Sequence, residues 1–175
     1  KSHKYIFNAI KRENYHRNYI VTGLKEADPE DIIMVSDADE IPNLEKLDLK
    51  KIKSKLIFFQ QKMFYYKLNL YMDSFNWFGT KVCKKKDLIS PQWLRNIKDR
   101  TYSFWRIDTL FSKVKYQNIY FVNDGGWHFS NIKNAKALEE KLKSYLHHRE
   151  FDIEPLSVEK IDKIMGEKKP IYDLK

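Results

Sequence analysis

The sequence is poor in cysteine and has no long apolar run. Its single cysteine, Cys83, cannot form an internal disulfide, so nothing in the chain requires an oxidising compartment. We expect Cys83 to be a small buried residue of a strand rather than a nucleophile. No run of about eighteen apolar residues occurs, which excludes a membrane-spanning helix in this chain. The chain begins at Lys1 without an initiating methionine or a signal peptide, so we expect that a part of the protein is missing upstream.

Composition indicates a globular protein, because 42% of the residues are apolar and 15% are aromatic. A length of 175 residues suits one domain, which we place at residues 1–175 with a core at about 7–151 and a helical tail at 152–175. The net charge is +9, and residues 51–100 alone hold twelve Lys and Arg against three acids. Such a positive band attracts nucleic acid or a small molecule with a diphosphate.

Hydrophobic periodicity and capping residues predict several helices and strands. Helices are expected at residues 3–24, after Pro42 to about 53, at 91–97 with Ser90 as the N-cap, after 131, and at 157–165. Strands are expected at residues 32–35, 119–122 and twice within 56–83, with Asp73-Ser74 as the turn between the latter two. His147-His148 follows the helix after residue 131, where a role at the helix C-terminus outranks metal binding.

The strand at residues 32–35 ends in a cluster of acids. Its four large apolar residues predict a strand buried on both faces in the centre of a parallel sheet. Asp37 and Asp39 would then lie at the carboxyl end of this strand, where open α/β sheets bind ligands. Two carboxylates that lean to one side suit Mg²⁺ or Mn²⁺ held partly by substrate phosphates.

The strand at residues 119–122 ends in polar chemistry as well. It is followed by Asn123-Asp124-Gly125-Gly126-Trp127-His128, in which the two glycines allow a sharp turn or a close approach to a ligand. A lone His beside Trp is often a hydrogen-bonded core residue, but His128 could also complete a metal site with the acids of the first strand. An isolated Asp-x-Asp triplet is only a weak indication of a metal site. The same triplet after a buried strand, together with the later Gly-Trp-His, is a stronger one.

These motifs together resemble glycosyltransferase family 17, over roughly residues 7–151. The matching segments are Asp37-Ala38-Asp39-Glu40-Ile41-Pro42, the aromatic run at 58–78, Gly125-Gly126-Trp127-His128-Phe129-Ser130, and the preceding helix with Arg12-Glu13-Asn14-Tyr15 and Asn18. The resemblance implies an α/β fold of the GT-A type, with a mixed, mostly parallel sheet flanked by helices. A domain of this type normally begins with a strand-and-loop unit that holds uracil, and we expect this chain to start after that unit. It also implies an inverting transfer of a sugar from a UDP-sugar to a glycan or glycoconjugate acceptor, aided by Mn²⁺ or Mg²⁺. The first choice of donor is UDP-GlcNAc.

The resemblance also implies roles for individual residues. Asp39 would coordinate the metal directly, and Asp37 would contact the ribose or a metal-bound water. His128 would be a third metal ligand or a contact of the diphosphate. The metal would neutralise the charge that develops on the leaving UDP.

Other side chains are expected around the donor and the acceptor. Inversion needs a general base, for which Asp124 is the first choice and Glu40 the alternative. Trp127 would stack on the sugar or line the pocket. Arg12 and Arg95, the latter in a loop-like stretch rich in arginine, would contact the nucleotide-sugar.

Two other classes of protein remain open from the sequence. A metal-dependent nuclease or nucleic-acid-binding module would also combine paired acids with a basic, aromatic-rich band. A sugar-binding remnant without activity is the third possibility. With one cysteine and no anchor, the first choice remains a cytoplasmic transferase that does not bind nucleic acid, and a luminal location would require an anchor upstream.

Overall fold

The computed structural model describes residues 2–48, 52–144 and 148–171. The α-helices in these ranges are α1 (Ser2–Tyr19), α2 (Pro91–Asn96), α3 (Ala135–Ser144), α4 (His148–Ile153) and α5 (Val158–Gly166). The strands are β1 (Ile32–Val35), β2 (Glu40–Pro42), β3 (Leu56–Tyr65), β4 (Tyr71–Lys84), β5 (Ile119–Val122) and β6 (Gly126–Ser130). The protein is therefore of the mixed α/β class, as expected.

The strands form one mixed sheet in the order β1-β4-β3-β6-β2, with β5 paired to β3. β1 is antiparallel to β4, β2 is antiparallel to β6, and β3 is parallel to β5. The expectation of a mostly parallel sheet is therefore wrong. Strand pairing depends on residues far apart in sequence, and a short apolar run does not specify it.

The placement of β1 in the centre of the sheet is also wrong. β1 ends the strand order, and Ile33 and Val35 are buried while Ile32 is exposed. The strand with apolar side chains buried on both faces is β3, where Phe58 belongs to one core cluster and Ile57 to another. In a run of only four residues, composition does not distinguish burial on one face from burial on two.

The chain reverses between β3 and β4 earlier than predicted. The amide of Tyr65 donates to the carbonyl of Leu70 at 3.0 Å, and Tyr66 takes the left-handed backbone conformation with φ of 66°. Asp73, expected in the turn, lies inside β4. The reversal is fixed in part by the buried Tyr66, whose hydroxyl donates to the carbonyl of Lys169 at 2.8 Å.

Two compact units divide the chain. The helical unit comprises residues 1–13, 64–72 and 129–175, and the strand unit comprises residues 14–63 and 73–128. In the helical unit, Leu138, Phe151, Leu156 and Ile161 form the centre of one apolar core. Part of the segment expected as a helical tail therefore belongs to a core. The single-domain interpretation stays a prediction.

Most helices form where the local signals place them. Ser90 caps α2 and Ser157 caps α5, each accepting a bond from the amide three residues later. After Pro42 only a short 3-10 turn, Leu44–Lys46, is formed, and residues 49–51 of the expected helix lie outside the described residues. His147 and the side chain of His148 lie outside them too.

Cys83 is buried in β4, as expected. Burial in the apolar core, with a smaller contribution from Asp87, raises the pKa of its thiol to about 12. The thiolate is the reactive form of cysteine, so this residue is chemically inert at neutral pH.

Candidate active site

The acidic cluster lies in the tight turn that joins β1 to β2. The amide of Glu40 donates to the carbonyl of Asp37 at 3.0 Å, which closes the turn. The amide of Asp37 in turn donates to Oε2 of the Glu40 side chain at 2.9 Å. The Glu40 carboxylate is thereby folded back under the turn and buried, whereas Asp37 and Asp39 stay partly exposed.

Glu40 forms a buried ion pair with Arg95, which lies near the end of α2. Nη1 of Arg95 is 3.0 Å from Oε2 of Glu40, and Nη2 is 3.0 Å from Oε1. Trp77 donates its indole N–H to Oε1 at 2.9 Å. These hydrogen-bond donors replace the water that the carboxylate loses on burial. The alternative assignment of Glu40 as the general base stays a prediction.

Asp37 lies between two arginines. Its Oδ2 is 2.7 Å from Nη2 of Arg95, and its Oδ1 is 3.2 Å from Nη2 of Arg17. Arg17 is held in turn by Gln92, whose Oε1 accepts from Nη1 at 2.6 Å. Each oxygen of Asp37 thus already carries a charge-assisted bond, and direct coordination of a metal would compete with these bonds.

Asp39 and His128 form the outer part of the cluster. Oδ2 of Asp39 is 3.5 Å from Nε2 of His128, and the Asp39 side chain is 45% exposed. The imidazole is buried and stacks on Trp77, with ring centroids 4.6 Å apart and an angle of 19° between the planes. Its Nδ1 is buried without a hydrogen-bond partner in the described part of the chain. These ranges contain no ready-made group of three or more metal-binding side chains.

Strand register places Trp127 away from this cluster. Glu40 pairs with His128 across β2 and β6, and Ile41 pairs with Trp127. Neighbouring residues of a strand face opposite sides of the sheet. Glu40 and His128 are buried on one side, and Ile41 and Trp127 are exposed on the other. Trp127 therefore lies on the face of the sheet opposite Glu40 and His128, and its role at the sugar stays a prediction.

The two glycines before Trp127 serve the backbone rather than a ligand. Gly126 has a φ of 125°, and a Cβ there would lie 2.1 Å from the carbonyl oxygen of Ile41. At Gly125 a Cβ would lie 2.7 Å from the carbonyl oxygen of Val122. Both positions need glycine because the neighbouring backbone lies close, that of Val122 at Gly125 and that of Ile41 at Gly126.

Two predicted residues lie elsewhere. Asp124 occupies the turn after β5, where its side chain is 66% exposed and its Oδ1 is 3.2 Å from Nζ of Lys62. Arg12 is exposed on α1 within the helical unit. The roles of these two residues stay predictions.

Several residues that support the cluster were not predicted from the sequence. A Cβ at Gly79 would lie 2.3 Å from Oε1 of Gln61 and 2.4 Å from Cδ of Glu40, so only glycine leaves room for both side chains. Lys81 is buried and donates to the carbonyls of Arg95 and Ile97 at 2.9 and 2.5 Å. A glycine inside a strand is a recognised signal of close packing, and it could have marked Gly79.

The sequence model of glycosyltransferase family 17 matches residues 1–175, which is the whole chain. No curated protein and no solved structure matches.

Proposed function

The chain belongs to glycosyltransferase family 17, and from this premise we propose that it transfers N-acetylglucosamine from UDP-GlcNAc to a glycan hydroxyl. We further propose that the transfer inverts the anomeric centre, that it requires Mn²⁺ or Mg²⁺, and that the fold is of the GT-A type. Family membership supports a glycosyltransferase that uses a sugar donor and a glycan acceptor; the donor, the metal and the stereochemistry are the proposed part.

The pair of Asp39 and His128 carries the proposal. A carboxylate oxygen and an imidazole nitrogen, 3.5 Å apart at a partly exposed position, offer the donor types that Mn²⁺ accepts. Such ions commonly take only one or two protein ligands and complete their shell with phosphate oxygens and water. Asp39 and His128 therefore fit a divalent cation.

Asp37 takes the second of its predicted roles. Because its oxygens bind Arg17 and Arg95, we assign it to the ribose or to a metal-bound water rather than to direct coordination. Its carboxylate also fixes the two guanidinium groups at the edge of the cluster. Arg95 is thereby oriented by Asp37 and Glu40 together.

The carboxylate of Asp39 supports a cation at the cluster. Among the described residues, the guanidinium groups of Arg17 and Arg95 pair with Asp37 and Glu40, and Asp39 lies beside His128. A bare diphosphate that approached Asp39 would meet a charge of its own sign. A bound divalent cation would supply charge neutralisation for a leaving diphosphate.

Thermal unfolding with and without ligands tests the proposal. UDP and UDP-GlcNAc should raise the melting temperature of the wild type only when Mn²⁺ is present, since a ligand at about 100 times its Kd adds about 2.7 kcal/mol. Asp39→Asn should abolish this response, because it removes a charged metal ligand. Asp73→Asn, at an exposed site in β4, is the matched control and should respond like the wild type.

A different pattern would contradict the proposal. If UDP has no effect with either metal, or if Asp39→Asn responds as the wild type does, the donor site is not at this cluster. Oligonucleotide binding that weakens steeply with salt would instead favour the nucleic-acid alternative.

A further inference from the structure

Large apolar side chains are concentrated on the surface between residues 104 and 111, a segment we call the apolar loop. Their exposed fractions range from 68% to 85%. They are Phe104, Trp105, Ile107, Leu110 and Phe111. Single exposed apolar residues are common, but a contiguous group of this size usually marks a contact surface.

The apolar loop is held in shape by polar groups turned inward. Thr109 is buried, and its hydroxyl donates to the carbonyl of Arg106 at 2.7 Å. The side-chain amide of Gln117 donates to the carbonyls of Ser103 and Phe104 at 3.2 and 3.3 Å, and to the Thr109 hydroxyl at 2.9 Å. In an ordinary surface loop the polar side chains face water. In the apolar loop the large apolar side chains are exposed as well, beside Arg106 and Asp108, and these bonds fix the backbone in that state.

Basic side chains accompany the apolar loop. Residues 98–115 contain five Lys and Arg and two acids. One of the acids, Asp108, is neutralised by Arg106 at 2.6 Å and by Lys115 at 2.8 Å. Those two cations hold the pKa of Asp108 well below its usual range. The excess of charge around the apolar side chains is therefore positive.

We propose that the apolar loop inserts into the surface of an anionic lipid bilayer. Phe, Trp and Leu side chains with adjacent Lys and Arg are the combination that binds the interface of such a bilayer, where the rings enter the acyl boundary and the cations meet the headgroups. No helix in the described ranges is long and apolar enough to cross a membrane. The inference does not depend on the proposed donor or metal.

Sedimentation with lipid vesicles tests this inference. The full chain should bind vesicles of phosphatidylcholine and phosphatidylglycerol and bind pure phosphatidylcholine more weakly. The double variant Phe104→Ser/Phe111→Ser should lower the partition constant roughly tenfold or more, because two large side chains no longer enter the bilayer. The matched control is Ile89→Ser/Ile153→Ser, whose side chains are 69% and 71% exposed outside the loop and should not matter.

A charge variant separates the electrostatic part. Lys113→Gln should weaken binding to the anionic vesicles by about fivefold and leave binding to phosphatidylcholine unchanged. Lys136→Gln, at an exposed position of α3, serves as its control.

Two results would overturn the inference. One is vesicle binding that is absent, or equal in the wild type and in the double variant. The other is a wild-type protein that does not bind vesicles but self-associates in sedimentation velocity, with self-association lost in the double variant. The apolar loop would then be covered by a second copy of the chain.

Discussion

Glu40 links the strands to the charged residues of the candidate site. Its carboxylate accepts bonds from Arg95, Trp77 and the amide of Asp37. A buried ion pair adds little net stability compared with an apolar pair of the same shape, because both ions lose their water. Removing one partner is different, since the other charge stays buried without compensation. The position of Arg95 therefore depends on the charge of Glu40.

Glu40→Gln tests this dependence. The substitution keeps the shape of the side chain but leaves the guanidinium of Arg95 with one carboxylate, Asp37. We expect a loss of about 3 kcal/mol in the free energy of unfolding, measured by urea denaturation. Glu45→Gln, at an exposed position of the following 3-10 turn, is the control and should stay near the wild type. Equal midpoints for the two variants would show that the ion pair is dispensable.

Asp124→Asn tests the proposed general base. Asp124 has a φ of 49°, and Asn tolerates this left-handed conformation well, so the turn should be kept. If Asp124 is the base, kcat for UDP release from UDP-GlcNAc, measured with a panel of oligosaccharide acceptors, should fall by about 100-fold or more. The Mn²⁺-dependent thermal shift by UDP should remain. Turnover close to the wild type would mean that Asp124 only shapes the turn.

At the scale of elements, β4 brings three supporting residues to the cluster. Trp77 donates to Glu40, Gly79 leaves space for its carboxylate, and the Thr80 hydroxyl lies 2.8 Å from that of Ser36. The carbonyl of Gly79 also accepts a bond from Arg95. The geometry of the site therefore depends on the path of one strand that carries none of the predicted catalytic groups.

Gly79→Ala tests the close packing of this strand. The new methyl group would overlap Gln61 and Glu40, and overpacking of this kind costs roughly 1–3 kcal/mol. We expect a lower melting temperature and a loss of the UDP response, because the Glu40 carboxylate must move. Gly23→Ala is the control, since a Cβ there meets nothing within 4 Å. If both variants melt together, the packing around Gly79 is looser than the structure indicates.

The elements that the sequence predicts correctly are those with local causes. α2 and α5 follow from their Ser caps, and α3 follows from its apolar stripe. The residues of β1 and β5 were also predicted correctly, because short apolar runs identify strands. Their partners and directions were not, since pairing is decided by residues far away in the chain.

The same distinction applies to the candidate site. The sequence predicts a metal site at Asp37, Asp39 and His128, and in the structure Oδ2 of Asp39 lies 3.5 Å from Nε2 of His128, while the metal stays a prediction. Arg17 is not predicted as a site residue from the sequence, because its partners Asp37 and Gln92 lie in other elements. A helical arginine off the apolar face carries no local signal that separates a site residue from a solvated one.

At the scale of the molecule, the basic band of residues 51–100 is not a uniform positive surface. Lys84 and Lys86 both pair with Glu30, at 2.6 Å in the case of Lys84. These two lysines lower the pKa of the Glu30 carboxyl to about 2. Lys55 lies 3.4 Å from Asp87. A part of the charge is thus balanced locally, which reduces the attraction for polyanions.

Lys81 is a buried member of this band. Its ammonium donates to the carbonyls of Arg95 and Ile97 and lies 4.5 Å from the centre of the Phe58 ring. Burial lowers the pKa of Lys81 from its usual 10.5 to about 8, and the nearby Arg95 contributes in the same direction. The charged form therefore costs stability in the folded protein, although it fixes the end of α2.

The pH dependence of unfolding should reveal this cost. Between about pH 8 and 10.5 the folded protein has released the proton of Lys81 while the unfolded chain still holds it, so this group raises the free energy of unfolding as pH rises. The gain is at most about 3 kcal/mol. The Lys81→Met variant has no amine to titrate, so it cannot show this gain. The titration of the Cys83 thiol contributes equally to both proteins, because both contain it. Urea unfolding at pH 7.5 and at pH 10 should therefore favour the wild type increasingly over the variant, whereas parallel pH curves would place the pKa of Lys81 at its ordinary value.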